Sequence, residues 1–293
     1  MNPSLSASRS RTKSGMADNE TDPETYALLD SGGGRVLEKL GALVSSRASH
    51  AAWWRRKLPG LEWRKAVELK REVKEPLKLR IGTLRFLLSP QGGVRGLAPE
   101  LQEQWARVCA QCVAFADQQR RPARVLHLFG GAGGFTLAAA QAGAAVAHVD
   151  ASADAIKRAR DHAAINTLAN RDIRWVVDDP VKFAQRERTQ TTRYDLIVID
   201  PHTPKDAKRG GFELERDLSA LLGTVSGLLS DKPIGVLLCC RQSAVSPTTL
   251  QHLMRQEFNV FGGVVESGEL LLGGAEGVPS VPCGTLAWWM KSA

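Results

Sequence analysis

From Val125 onward the chain keeps one rhythm. Short apolar runs are separated by longer stretches of helical periodicity. The runs are "VLHLF" (Val125–Phe129), "AAVAHVD" ending at Asp150, "IRWVVD" ending at Asp178, "YDLIVID" (Tyr194–Asp200) and "IGVLLCC" (Ile234–Cys240). The stretches between them cover Gly134–Ala142, Ala153–Asn166, Pro180–Glu187 and Glu213–Leu229. Apolar runs this short, bounded by turn residues, read as strands buried on both faces. Strand and helix in regular alternation imply right-handed crossovers and a mostly parallel sheet with helices on both sides. An α/β, Rossmann-like sheet is therefore expected. A further helix at about Thr248–Phe258 leads to "GGVVESGELLL" and "GTLAWWM", which read as a terminal pair with the last strand antiparallel.

The part before Val125 is organised differently. Residues 1–23 carry Arg9, Arg11 and Lys13, several serines and no apolar centre, so they read as a disordered tail rather than a secretory signal. Residues 24–96 read as a small β-rich domain. "YALLDSGGGRVLEKLG" places two apolar runs around a Gly-rich turn, "PLKLRIGTLRFLLSP" supplies two more strands, and "PQGGVRG" (Pro90–Gly96) is a loop. A helix from about Pro99 to Gln119 opens the second domain, residues 97–293. No apolar run approaches the roughly 20 residues of a membrane span. Five cysteines, few and odd in number, point to a reducing cytosol. Oligomeric state leaves no mark in the sequence.

The net charge of +8 favours a polyanionic partner. It is concentrated: Trp53 to Arg80 holds ten Lys/Arg and four Glu. Trp53, Trp54 and Trp63 are interleaved with Arg55, Arg56, Lys57, Arg64 and Lys65. Cations meeting phosphates and rings stacking on bases would suit RNA. A solvated face with tryptophans packed beneath it is the other reading.

"LHLFGGAGGF" (Leu126–Phe135) puts four glycines directly after the first strand of the alternating region, where such sheets bind ligands. Three ligand classes compete. A P-loop requires Gly-Lys-Ser/Thr, and no Lys follows Gly134. A dinucleotide fingerprint finds Gly131 and Gly133 but has Thr136 at its third glycine. The third class is S-adenosylmethionine (SAM), whose amino-acid part lies over a Gly-rich turn and whose ribose needs an acid after the second strand. Asp150 stands there and can accept from two vicinal hydroxyls. Asp178 and Asp179 end the third strand, where an acid can meet an adenine amino group. Asp200 ends the fourth, followed by Pro201 and His202.

These segments resemble the class I SAM-dependent methyltransferases, in particular the bacterial 23S ribosomal RNA methyltransferase group. The likeness is carried by "VLHLFGGAGGFTLAAAQAGAAVAHVDAS", the helix "AIKRARDHAAIN" ending at Asn166, "IRWVVDDPVKF", "YDLIVIDPHTP" and "VVESGELLL", in that order. It extends upstream through "SPQGGVRGLAPE" to about Tyr26. The resemblance implies a small N-terminal β domain before a Rossmann-like catalytic domain, with SAM as cofactor, no metal, and a base of ribosomal RNA as acceptor. Phe129, Gly130, Gly131, Ala132, Gly133 and Gly134 would cradle the methionine part. Asp150, with Ala151 beside it, would hold the ribose. Asp178 and Asp179 would face the adenine. Asp200 and Pro201 would form the floor of the acceptor pocket, and His202 beside them would donate a hydrogen bond, act as a base or merely fill space.

The chain departs from that group at Gly131-Ala132, where the group has Tyr-Thr, at His202, where it has a second Pro, and at "LAPEL" in the connector. Three activities follow as alternatives: an RNA methyltransferase, a catalytically weak or inactive RNA-binding homologue, and a small-molecule methyltransferase. Cys239 and Cys240 end the fifth strand, where a thiol nucleophile would serve cytosine C5 chemistry; the simpler reading is two small apolar residues closing a buried strand. Cys109 and Cys112 form one CxxC on a helix, two ligands where a structural zinc needs four.

Overall fold

A computed structural model describes residues 24–67, 74–89, 94–201, 212–241, 245–274 and 276–291. The expected N-terminal tail, His202 and residues 90–93 of the expected loop lie outside these. The strands are β1 (Tyr26–Gly32), β2 (Arg35–Leu40), β3 (Leu43–Ala48), β4 (Leu77–Ile81), β5 (Leu84–Leu88), β6 (Arg124–Leu128), β7 (Ala145–Asp150), β8 (Ile173–Val177), β9 (Leu196–Ile199), β10 (Gly235–Arg241), β11 (Val264–Leu272) and β12 (Val281–Met290). The helices are α1 (Gly60–Arg64), α2 (Gln102–Gln119), α3 (Gly134–Gln141), α4 (Ala153–Ile165), α5 (Pro180–Thr189), α6 (Leu214–Ser226) and α7 (Pro247–Phe258).

Seven strands form one sheet in the order β11-β12-β10-β9-β6-β7-β8. Pairs from β10 through β8 are parallel, and β12 runs antiparallel to both neighbours. The sequence dictates this directly. Within β9, alternate residues go to opposite faces: Leu196 and Val198 join one core, Ile197 and Ile199 the other. Both faces need apolar side chains, hence the unbroken apolar runs. Helix α6 buries Leu218, Leu221, Leu222 and Val225, spaced as one helical stripe. Helix α3 is buried from Gly134 through Ala140, which its alanines permit. Starts are marked by Ser152, whose hydroxyl accepts from the Ala155 N–H, by Asp179 before Pro180, and by Ser246 before Pro247. Strand order reverses between β6 and β9, so the cleft at their carboxyl ends is where ligands gather.

The N-terminal region is β-rich as expected, with additions. β3 and α1 were not visible in the sequence pattern. β3 reads "LVSSRA", too polar to signal a strand by itself, and it forms by pairing along β2. β4 and β5 make a separate hairpin. One apolar core runs from Tyr26, Leu79 and Phe86 through Trp105 and Phe135 to Val198 and Trp288, so the β-rich region is built onto one face of the large sheet. Asn166 fastens it: its amide donates to the Arg85 C=O and accepts from the Arg85 N–H at 2.6 and 2.9 Å.

A buried carboxylate orders the basic segment. Asp30, fully buried on β1, accepts from the Ser31, Lys57 and Leu58 N–H groups at 2.8, 3.1 and 2.8 Å and from the Trp63 indole at 3.0 Å. Burial alone would raise its pKa; the four donors outweigh it and hold the carboxyl below the usual range. Removing the carboxylate leaves those donors unmatched. Asp30→Ala is therefore expected to cost about 3 kcal/mol or more and to open residues 53–65 to protease. Urea unfolding and limited proteolysis check this; a variant as stable and as resistant as the parent contradicts it.

Candidate functional site

The glycine turn joins β6 to α3, and its backbone is unusual. φ is 59° at Phe129, 51° at Gly131 and 89° at Gly133, so every second residue is left-handed. Glycine tolerates this; Phe129 does so at a strain cost of about 1–3 kcal/mol. Two glycines are required by the protein's own rings. A Cβ on Gly130 would lie 2.3 Å from the His148 ring, and one on Gly134 would lie 2.4 Å from Trp105. The opposite face, Gly131 and Ala132, is only half-buried and is the side left for a ligand.

Asp150 closes the turn. It ends β7 and is 3% exposed. Its Oδ2 accepts from the Gly131 N–H and its Oδ1 from the Ser152 N–H, each at 2.9 Å. The carboxylate thus ties the turn after β6 to the turn after β7. Ala151 lies exposed between Asp150 and the cap of α4. Each carboxylate oxygen still carries a second lone pair, the capacity that two vicinal ribose hydroxyls require.

Thr136 explains the failed dinucleotide fingerprint. Its hydroxyl lies 2.9 Å from His127 Nδ1 and 2.7 Å from His148 Nδ1, all fully buried beneath the turn. A hydroxyl can donate to one ring and accept from the other, so Thr136 satisfies one nitrogen of each imidazole. On the neighbouring helix, His162 Nδ1–H donates to the Ala132 C=O at 2.9 Å, holding the tip of the turn to α4. The three histidines were not picked out from the sequence. A histidine in an apolar run gave no signal beyond a satisfied core side chain.

The acids after β8 are spoken for locally. Asp179 Oδ1 caps α5 by accepting from Val181 and Lys182 N–H at 2.9 and 3.1 Å. Asp178 pairs with Arg186, which holds its carboxyl below the usual range. Asp178 neighbours Asp150, its N–H donating to the Asp150 C=O at 3.0 Å.

Asp200, 6% exposed, stands at the end of β9 with Pro201 after it, and its N–H donates to the Leu128 C=O. Its side chain is engaged by a partner the sequence did not reveal. Arg241, at the end of β10, places Nε 2.9 Å from Asp200 Oδ1 and Nη1 3.9 Å from Glu100 Oε1. Glu100 belongs to the unusual connector "LAPEL". A buried guanidinium thus bridges two buried carboxylates. Phe212 packs against Phe129 with ring centroids 4.9 Å apart and planes tilted by 52°. Cys239 and Cys240 are 0% and 1% exposed, and burial pushes the Cys240 thiol up to about 12. Neither is an exposed, activated nucleophile.

The basic segment divides. Arg55, Arg56, Lys57, Arg64 and Lys65 are exposed, and Trp53 is 86% exposed. Trp63 is buried beneath the Arg56 guanidinium, and the Trp54 indole donates to Ser31 Oγ. Packing accounts for two tryptophans and leaves Trp53 and the cations at the surface.

Burial pushes the His148 pKa down to about 4. An unfolded histidine titrates near 6.5. Between these values the unfolded chain binds a proton that the folded chain does not. Stability is therefore full above pH 6.5 and declines as pH falls toward 4, by up to about 3 kcal/mol. His162, lowered by burial, adds with the same sign. Urea midpoints from pH 7 to 4.5 are expected to fall, with a flatter profile in His148→Gln. Equal midpoints across that range contradict the assignment.

The comparisons follow from this geometry. Residues 107–262, just over half of the chain, match the model of the S-adenosylmethionine-dependent methyltransferase family. A crystal structure of the SAM-dependent methyltransferase from Agrobacterium tumefaciens is 30% identical with a TM-score of 0.81, over 91% of this chain and 90% of that one. A ribosomal RNA large subunit methyltransferase K/L of Shewanella baltica is 33% identical over 146 residues, 49% of this chain and 20% of that protein. A ribosomal RNA large subunit methyltransferase I of Shewanella denitrificans is 40% identical over 85 residues, 29% of this chain and 21% of that protein. The chain thus spans about a fifth of the length of these two curated relatives. A parallel sheet with its strand-order switch at β6, a left-handed glycine turn and an acid clasping that turn are what an adenosyl sulfonium requires, and the chain belongs to the S-adenosylmethionine-dependent methyltransferase family.

Proposed function

We propose that this protein transfers the methyl group of SAM to a base of large-subunit ribosomal RNA. One observation carries the choice of RNA beyond the family itself. Five exposed cations and an exposed Trp53 stand on a segment whose backbone is anchored by buried Asp30. A fixed row of positive charge with an open ring suits phosphates and a stacked base. The curated relatives that match part of this chain are named ribosomal RNA large subunit methyltransferases, in keeping with this. Residues 24–96 would face the RNA and residues 97–293 would carry the chemistry. Five free cysteines accord with work in a reducing cytosol.

SAM supplies an activated methyl, so the protein's task is positioning. Phe129 to Gly134 would hold the methionine part, Asp150 the ribose, and Asp178 with Asp179 the adenine side. Asp200 and Pro201 would floor the acceptor pocket. Arg241 holds Asp200 in an ion pair, so Asp200 would orient the acceptor, whose atom would take the methyl, gain the positive charge the sulfur gives up and then release a proton. The role expected for His202 falls outside the described residues. The buried state of Cys239 and Cys240 favours an acceptor atom that is already nucleophilic over cytosine C5.

The test is incubation of purified protein with tritiated SAM and unmodified large-subunit RNA, followed by mass-spectrometric mapping. One methylated nucleoside is expected. The reaction should weaken by about tenfold or more in Asp200→Asn. No incorporation into RNA, with transfer to small molecules instead, overturns the reading. RNA affinity should fall linearly in log-log salt plots, and replacing Arg55, Arg56 and Lys57 by Ala should flatten that slope by about two to three. An unchanged slope removes the basic segment from the interface.

A further inference from the structure

A second cleft opens beyond Asp200, between the N-terminal strands and the antiparallel edge of the sheet. Its volume is about 640 Å³. That falls in the range of pockets that enclose a nucleoside-sized ligand. Glu100, the far end of the Asp200–Arg241–Glu100 chain, forms part of its wall. Thr285 on β12 forms another part. Thr285 is 7% exposed, and its Oγ1 is buried with no hydrogen-bond partner among the described residues. A buried hydroxyl left unmatched is unfavourable, so a polar ligand group that reaches it from the cleft gains a bond. Register places Glu269 of β11 directly opposite Thr285.

The lining defines the ligand. Glu100 and Glu269 are acceptors and disfavour an anion. Arg47, also in the wall, gives its guanidinium to Glu38 through two bonds of 2.8 and 2.9 Å and acts on Glu100 without a hydrogen bond to it. Val245, Pro247 and Pro282 supply apolar surfaces. The cleft therefore suits a flat, uncharged ring that presents N–H donors, and it disfavours a phosphate. Its wall includes His50 and Ala51, which lead directly into Trp53 and the exposed cations. The strands run β6, β9, β10, β12 at about 4.8 Å spacing. The cleft thus lies roughly 14 Å along the sheet edge from the glycine turn, too far for its occupant to receive the methyl.

We infer that this cleft reads an unpaired base flanking the methylated nucleotide, guanine above all, whose adjacent imino and amino groups match the carboxylates. The inference rests on the RNA reading above. Fluorescence anisotropy with the hexamers UUGUUU, UUAUUU and UUIUUU, where I is inosine and lacks the amino group, tests it. The wild-type protein should bind UUGUUU about fivefold tighter than either of the others. Thr285→Val should abolish that preference, Thr285→Ser should keep it, and both should bind SAM as the parent does. Salt-dependent RNA binding with no preference for guanine, or a preference that survives Thr285→Val, overturns the cleft and leaves the RNA reading standing. Failure to bind any hexamer at low salt overturns both.

Discussion

The site depends on one carboxylate placed between two turns. Asp150 receives the Gly131 N–H on one oxygen and the Ser152 N–H on the other. Without it, the turn after β6 keeps only the Gly130 N–H to Val149 C=O bond to the end of β7, and its left-handed residues have less to hold them. Pressure from below completes the shape. The His148 and Trp105 rings leave no room for a side chain at Gly130 or Gly134, so the backbone lies flat on them. The His127–Thr136–His148 relay fixes the His148 ring, Phe86 packs 5.3 Å from the Trp105 ring, and His162 fixes Ala132. The turn is thus preorganised by the protein before any ligand arrives, which lowers the ordering cost of binding.

A second set of charges organises the other half of the same edge. Arg241 bridges Asp200 and Glu100, connecting the end of β9 to the connector that precedes α2. The departure at "LAPEL" thus finds a physical role. Its glutamate is half of a buried ion arrangement whose other acid is the one that follows β9. Burial raises the Glu100 pKa against the pull of Arg241, so the arrangement is costly to break and is not interchangeable with a free carboxylate. The fold therefore presents two acids to the cleft in different states. Asp150 is hydrogen-bonded to backbone and suited to hydroxyls; Asp200 is ion-paired and suited to positioning.

The sheet was legible because burial on both faces leaves unbroken apolar runs that alternate with helical stretches. The five strands of the alternating region and the antiparallel close lie where their apolar runs are. β3 and α1 were not legible. Polar β3 exists through its partner strand, and five-residue α1 through the Trp63 bond to Asp30, neither of which is a local signal. In the site, Asp150 could be placed because the end of the second strand is a fixed point of such sheets. Arg241, Glu100, Thr136 and the three histidines could not. Each acts by meeting a residue far away in the chain, and one sequence does not show such meetings. The tryptophans show the same limit: three rings in one basic stretch look alike, yet Trp63 is core and Trp53 is surface.

SAM affinity by isothermal titration calorimetry, in the wild-type protein and in Asp150→Ala, tests the central claim most directly. The account predicts micromolar binding in the parent and a loss of about thirtyfold or more in the variant, as expected when a charged hydrogen-bonding group is removed. Circular dichroism should show the variant still folded. Equal affinity in the two proteins would contradict the assignment of Asp150 as the residue that shapes the cofactor site.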